Sequence, residues 1–332
     1  MKNKITKAIC MMLAVLMLVM SVPMYSGATD STVNVSFILF DGDVIIPKTE
    51  IAVADGTAEL YGYDVAEYDH NGNAVDGATI FDAVVAMHKE YFGDAFTPET
   101  ADDYLVINSS FITKAFGVNS SALGFFLNDR MPNDGIYNES YGSYTGLACD
   151  AAVISDDDLI TFYFYQDTVF WGDYKAEFSE DEFVVNENDE LTLEVTAFSL
   201  WHGNSTDEVI AENSVKVPGA EIFCSDGAGN FDKITETDED GNAVISFAEA
   251  GEYDVYVTGT VVDDFGDEVP LVIDWATVTV NEVVEEEPPA DEPSVDNSDE
   301  NDCSVLCWIW NIIKKIFSFP VKLVKTIIDW IF

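Results

Sequence analysis

Short runs in which apolar and polar residues alternate dominate the chain from residue 33 to residue 281. Val33, Val35, Phe37 and Leu39 alternate with Asn34, Ser36 and Ile38 ahead of Asp41-Gly42, the period-two pattern of a strand that ends in a turn. Ile51 to Val53, before Asp55-Gly56, predicts a second strand, and Tyr68 to Val75 predicts a hairpin turning at Asn71-Gly72. The period then changes. Ile80, Ala83, Val84, Met87 and Tyr91 recur at helical spacing, which predicts a helix that starts near Thr79, buries that stripe and stops at Gly93. Tyr104–Ile107, Leu123–Leu127 and Leu159–Tyr165 predict further strands. The last is apolar or aromatic at almost every position, as expected of a strand buried on both faces. Strands around one helix make residues 29–173 an α+β domain.

Residues 174–281 keep the alternation without any helical period. Leu191–Val195, Ala243–Phe247, Tyr253–Val257 and Ala276–Val280 are strand-like, and Asp240-Gly241 supplies a tight turn. Short strands at regular spacing predict an all-β sandwich.

Both ends of the chain depart from this pattern. Residues 1–28 carry Lys2, Lys4 and Lys7, an apolar run from Ala8 to Val22, and small residues at Ser26-Gly27-Ala28. That order predicts a signal peptide and an extracytoplasmic protein. Residues 282–303 form an acidic linker containing Pro. In residues 304–332 the polar positions Asn311, Lys315, Ser318, Lys322, Lys325 and Asp329 fall three or four apart on an otherwise apolar background. This is an amphipathic C-terminal helix, divided or kinked at Pro320. Trp308, Trp310, Lys314, Lys315, Lys322, Lys325 and Trp330 are its expected membrane contacts, with rings in the interface and ammonium groups toward the headgroups. Self-association through the apolar face is the alternative. Either way the tail attaches the molecule to something.

Charge sharpens the division. The chain has 332 residues, with 62 Asp and Glu against 14 Lys and Arg, for a net charge of −48. Each end carries +3, so the body between them holds −54. A nucleic-acid partner is not expected of such a body. Disorder is not expected either, because 48% of residues are hydrophobic.

The order of several segments resembles a known family. Ala78-Thr-Ile-Phe-Asp-Ala-Val84, Ser109 to Gly117, Gly124-Phe-Phe-Leu-Asn128 and Asp156 to Tyr165 resemble the transcobalamin-like C-terminal domain family over about residues 33–168. The resemblance implies a compact α+β domain whose strands and hairpins contact a ligand, with a corrinoid as the suggested one. Thr113, Phe125, Leu127 and Asn128 are the contacts it nominates. Thr237 to Val255 resembles a bacterial immunoglobulin-like domain, which implies a spacer or adhesive module.

Catalytic motifs do not appear. His70, His88 and His202 are far apart and lack metal-ligand spacing, and no nucleophile elbow or phosphate loop is present. A non-catalytic binding protein is expected, capturing a small ligand or binding a surface protein or glycan. No cofactor is expected. Asp69 to Asn73 places oxygen at alternate positions, but Ala74 and Ile80 stand where a calcium loop of the EF-hand type needs Gly and Glu. Weak calcium binding stays open at oxygen-rich turns such as Asp156–Asp158 and Asp238–Asn242. Cys149, Cys224, Cys303 and Cys307 remain after the leader, an even number that permits disulfides without fixing a pairing.

Overall fold

The computed structural model describes residues 32–283, apart from Ser109 and residues 169–170, 226–229 and 264. The leader, almost all of the linker and the tail with its seven nominated contacts lie outside the described residues, as do Cys303 and Cys307. The described residues belong to one compact unit, which is mostly β-strand.

In the first half, β1 (Thr32–Phe40) and β2 (Val44–Ala54) form an antiparallel hairpin. α1 (Thr57–Leu60) and α2 (Ile80–Phe92) follow. Then come β3 (Val106–Asn108), β4 (Phe111–Ala115) and β5 (Val118–Asn119), a small antiparallel sheet. β6 (Leu123–Leu127), the hairpin of β7 (Asn133–Asn138) and β8 (Ser143–Gly146), and β9 (Leu159–Phe164) complete this half. The main sheet has the order β2-β1-β9-β6, with β1 and β9 parallel.

α2 begins where the sequence predicts. Thr79 caps it, Asp82 returns a carboxylate bond to the Thr79 N–H at 2.9 Å, and Gly93 ends it at φ 57°. Asp82 also accepts the Ala58 N–H at 2.8 Å, which ties α1 to α2. One stripe position is corrected: Tyr91 is 49% exposed. His88, one turn after Val84, is the last fully buried side chain of the helix; in the final turn Phe92 still packs against the core while Tyr91 points to solvent.

The second half contains β10 (Tyr174–Phe178), β11 (Glu182–Asn186), β12 (Glu190–Ser199), α3 (Asp207–Asn213), β13 (Val215–Lys216) and β14 (Glu221–Ser225). β15 (Phe231–Glu236), β16 (Asn242–Ser246), β17 (Gly251–Thr258), β18 (Thr260–Val262), β19 (Glu268–Val272) and β20 (Asp274–Asn281) follow. One sheet runs β13-β12-β10-β19-β18 with β16 also on β12, and the other runs β11-β20-β17-β14-β15. Residues of both sheets, among them Leu193, Val195, Ile222, Val255 and Val278, fill one core. The helix α3 corrects the expectation of strands alone. It has fewer than two full turns and buries only Ile210, too little to leave a period in the sequence.

The main sheet of the first half is buried on both faces. Phe37, Leu39, Ile160 and Phe162 pack toward α2. Ile38, Phe40, Phe126 and Tyr163 point the other way and join Leu200, Tyr256, Val272, Ile273 and Trp275 of the second half. Strict alternation along β1 and β9 thus delivers one set of side chains to each neighbour.

Candidate functional site

The turn between β6 and β7, at Asn128, Asp129 and Arg130, is where the first half meets the second. Asn128 and Asp129 both adopt left-handed backbone, at φ 51° and 60°, a conformation that Asn and Asp tolerate better than most residues. Asn128 locks the turn with its side chain. Its Oδ1 accepts the Leu159 N–H at 2.8 Å, and its Nδ2 donates to Asp158 Oδ1 at 2.7 Å. Arg130 then reaches the second half. Its Nε donates to Asp207 Oδ1 at 3.0 Å, its Nη1 donates to Glu177 Oε1, and its guanidinium lies 5.9 Å from the Phe198 ring centre.

Two open clefts flank Arg130. One, of about 550 Å³, is bordered by Asn133, Tyr144, Ser205, Thr206 and Asp207. The other, of about 460 Å³, is bordered by Asp129, Glu177, Glu180, Asp181 and Asp274. Both walls are polar, and the second is strongly acidic.

The β7–β8 hairpin stands beside the first cleft. Its sequence, Asn133 to Gly146, is rich in Tyr, Asn, Ser and Gly. Tyr137 and Tyr144 meet edge to face with centres 5.3 Å apart, and Tyr141 at the tip is 83% exposed. The base is fixed from two sides. Asp134 Oδ2 accepts from Asn71 Nδ2 at 2.8 Å and lies 2.9 Å from His70 Nε2. Those bonds, Asn71's first, bring the Asp134 carboxyl down to about 2. On the other side the Tyr144 N–H donates to Asn204 O at 2.7 Å. Tyrosine offers a large amphipathic surface with few torsions to freeze, which suits a recognition surface.

Beneath the second cleft lies a buried charge cluster. Lys175 of β10 has no exposed side-chain surface, and its Nζ sits 2.5 Å from Asp274 Oδ1 and 3.0 Å from Asp129 Oδ1. It also donates to Ala176 O at 2.8 Å. The Phe178 N–H donates to Asp274 Oδ2 at 2.7 Å. Burial, reinforced by the charge of Asp129, pushes the Asp274 carboxyl up to about 8, in spite of the nearby ammonium.

Phe125 and Leu127, nominated as ligand contacts, share one face of β6 and are half-buried against the first core beside Leu123. Asn128 is exposed, but both ends of its amide serve the turn. Thr113 lies on β4 in the separate small sheet, where its Oγ1 is 3.3 Å from Val106 O. The fold therefore joins three of the four along β6 and leaves Thr113 elsewhere. Lys175, Asp129, Asp274 and the tyrosine hairpin were not picked out from the sequence. The hairpin's composition was the available signal.

The oxygen-rich turns are occupied by their own backbone. Asp69 Oδ1 accepts the N–H groups of Asn71 and Asn73, and Asp238 Oδ1 accepts those of Asp240 and Asn242, all at 2.8–2.9 Å. Among the described residues no group of three or more His, Cys, Asp or Glu is placed to hold a metal ion. Cys149 and Cys224 are buried free thiols. No described helix is long and apolar enough to cross a membrane. No protein-family model matches the chain, and no curated protein does either.

Proposed function

We propose that this is a secreted, surface-associated, non-catalytic protein that binds a protein or glycan partner through the β7–β8 hairpin and the cleft beside it. The observation that carries the reading is Tyr141, 83% exposed at the tip of a hairpin whose base is anchored on both sides. Rigid presentation of aromatic rings lowers the entropic cost of binding. The acidic walls around Arg130 suit a neutral or basic partner.

The scaffold reading is part of the proposal. An immunoglobulin-like second half is supported by its first strand dividing between sheets: β10 pairs antiparallel with β12, and β11 pairs parallel with β20. β12 beside β16, and β14-β17-β20 opposite, follow the Greek-key order of such sandwiches. A transcobalamin-like first half is supported by one helix against a four-stranded sheet. Residues 304–332 would hold the molecule at a membrane surface.

Docking of a partner is favoured over capture of a corrinoid. The first core is filled by side chains, and the second half covers the far face of its sheet. The clefts are open and polar, whereas enclosed small-ligand sites are mostly apolar. Binding of the purified protein to intact cells and isolated envelope glycans tests this. Replacing Tyr137 and Tyr141 by Ala should weaken binding roughly tenfold, as loss of an aromatic anchor does. Equal binding by the variant would remove the hairpin from the function.

A further inference from the structure

We propose that Lys175 and Asp274 condense to an intramolecular amide that covalently joins β10 to β20, with the carboxylate of Asp129 carrying the proton. The two strands belong to different sheets of the second half, so the product would staple the sandwich together across 99 residues of chain.

The geometry is that of reactants held in contact. Lys175 Nζ lies 2.5 Å from one oxygen of Asp274, and the other oxygen accepts the Phe178 N–H at 2.7 Å. That N–H is positioned to stabilise negative charge on Oδ2 as nitrogen adds to the carboxyl carbon. Asp129 Oδ1 is 3.0 Å from the same Nζ, and the Asp129 charge also acts on the Asp274 carboxyl. Lys175 Nζ thus sits between the two carboxyls, with Asp129 beside the nucleophile and the carboxyl it attacks. The Phe126 ring lies 5.7 Å from Nζ, and neither Lys175 nor Asp274 has more than 2% of its side chain exposed.

Proton bookkeeping is consistent with the step. Asp274 stays protonated near neutral pH because burial and the Asp129 charge oppose its ionisation. In spite of burial, Asp129 and Asp274 hold Lys175 as the ammonium, and Lys175 in turn holds Asp129 as the carboxylate. The reactive amine therefore forms only in the step in which one proton passes from Lys175 to Asp129 across their 3.0 Å contact. The amine adds to the Asp274 carbon. The hydroxyl leaves with the proton held by Asp129, the nitrogen passes its second proton to Asp129, and one water is released. Asp129 therefore ends as a neutral carboxylic acid, one proton richer than it began, and the net charge of the cluster is unchanged. No oxidant, reductant or energy source is consumed. Condensation in water is disfavoured, but groups held in contact reach effective concentrations on the order of 10⁵ M or more. A desolvated lysine is also the form of that residue that acts as a nucleophile.

A buried Lys–Asp pair with a second carboxylate could instead remain an ion cluster. Mass spectrometry separates the two. The purified full chain should yield, after digestion, a branched peptide containing both Lys175 and Asp274, about 18 Da lighter than its two components together. Asp129→Asn should give the two peptides separately while circular dichroism remains that of a folded β protein. Unlinked Lys175 and Asp274 peptides from the wild-type chain would overturn the proposal. A branched peptide persisting in Asp129→Asn would overturn the role of Asp129.

Discussion

His88 Nε2 accepts the backbone N–H of Phe116 at 2.8 Å while the opposite ring nitrogen sits 2.7 Å from Val84 O. Accepting at Nε2 requires the proton on Nδ1, so the ring is neutral and its tautomer is fixed. Phe116 stacks on the ring at 3.9 Å between centres and adopts φ 49°. Burial lowers the His88 pKa to about 4. Because the folded value lies below the unfolded one, the unfolded chain binds the extra proton between roughly pH 6.5 and 4. Stability from this residue is therefore complete above pH 6.5 and declines as pH falls to about 4, by about 1.4 kcal/mol per unit. Urea midpoints of wild type and His88→Gln across that range should converge on acidification. Parallel curves would mean that His88 titrates normally.

Gly124 and Tyr163 form a second dependent pair. A Cβ at position 124 would lie 2.2 Å from Tyr163 Cζ, and Tyr163 is held by Phe126, stacked at 5.1 Å. Gly124→Ala should destabilise by about 1–3 kcal/mol, the usual cost of overpacking. The same change in a Tyr163→Val background should cost less, a coupling that a double-mutant cycle in urea would register.

Residues 29–173 alone should not behave as an independent domain. Removing the second half uncovers Ile38, Phe40, Phe126 and Tyr163, all now at most 2% exposed. Each loses about 1.5–3 kcal/mol of burial, and the exposed sheet offers an adhesive face. The fragment should bind a hydrophobic dye and elute as aggregates in size-exclusion chromatography, where residues 29–283 elute as a monomer or a defined oligomer.

Titration with cobalamin and cobinamide up to high micromolar concentration should produce no heat and no spectral change if partner docking is the function. A saturable shift would restore ligand capture as the leading reading.

Attachment through the tail has a direct measurement. Chains with and without residues 304–332 should partition differently onto anionic liposomes, the longer one more strongly, because four Lys and three Trp favour that interface. Equal partitioning would point to self-association instead.

Elements defined by their own period were readable from the sequence. Leu123–Leu127 was located residue for residue, and the Thr79 and Gly93 limits of the helix follow from capping chemistry that is local to it. Double burial of β9 was readable too, since a strand apolar on both sides has to be covered twice. Periodicity does not say what does the covering. Tyr174, Ala176 and Phe178 face the second core, so alternation assigns Lys175 to the outer face, where a lysine is unremarkable. The approach of Asp129 and Phe126, from the other half, turns that face into an interior. The bonds of Asn128 are hidden for a related reason. Its side chain looks available in sequence, and the turn at φ 51° engages both ends of it.

The parallel pairing of β11 with β20 has a mechanical consequence. Glu182 to Asn186 lies in register with Thr277 to Asn281, five pairs running the same way. Tension applied between the tyrosine hairpin and the chain beyond residue 281 enters the second half at β10 and leaves along β20. Where Lys175 and Asp274 are not joined, it draws β11 and β20 in opposite directions along their common axis, so all five pairs resist at once instead of opening one after another. The proposed amide would carry the same load from β10 directly into β20 and spare those pairs.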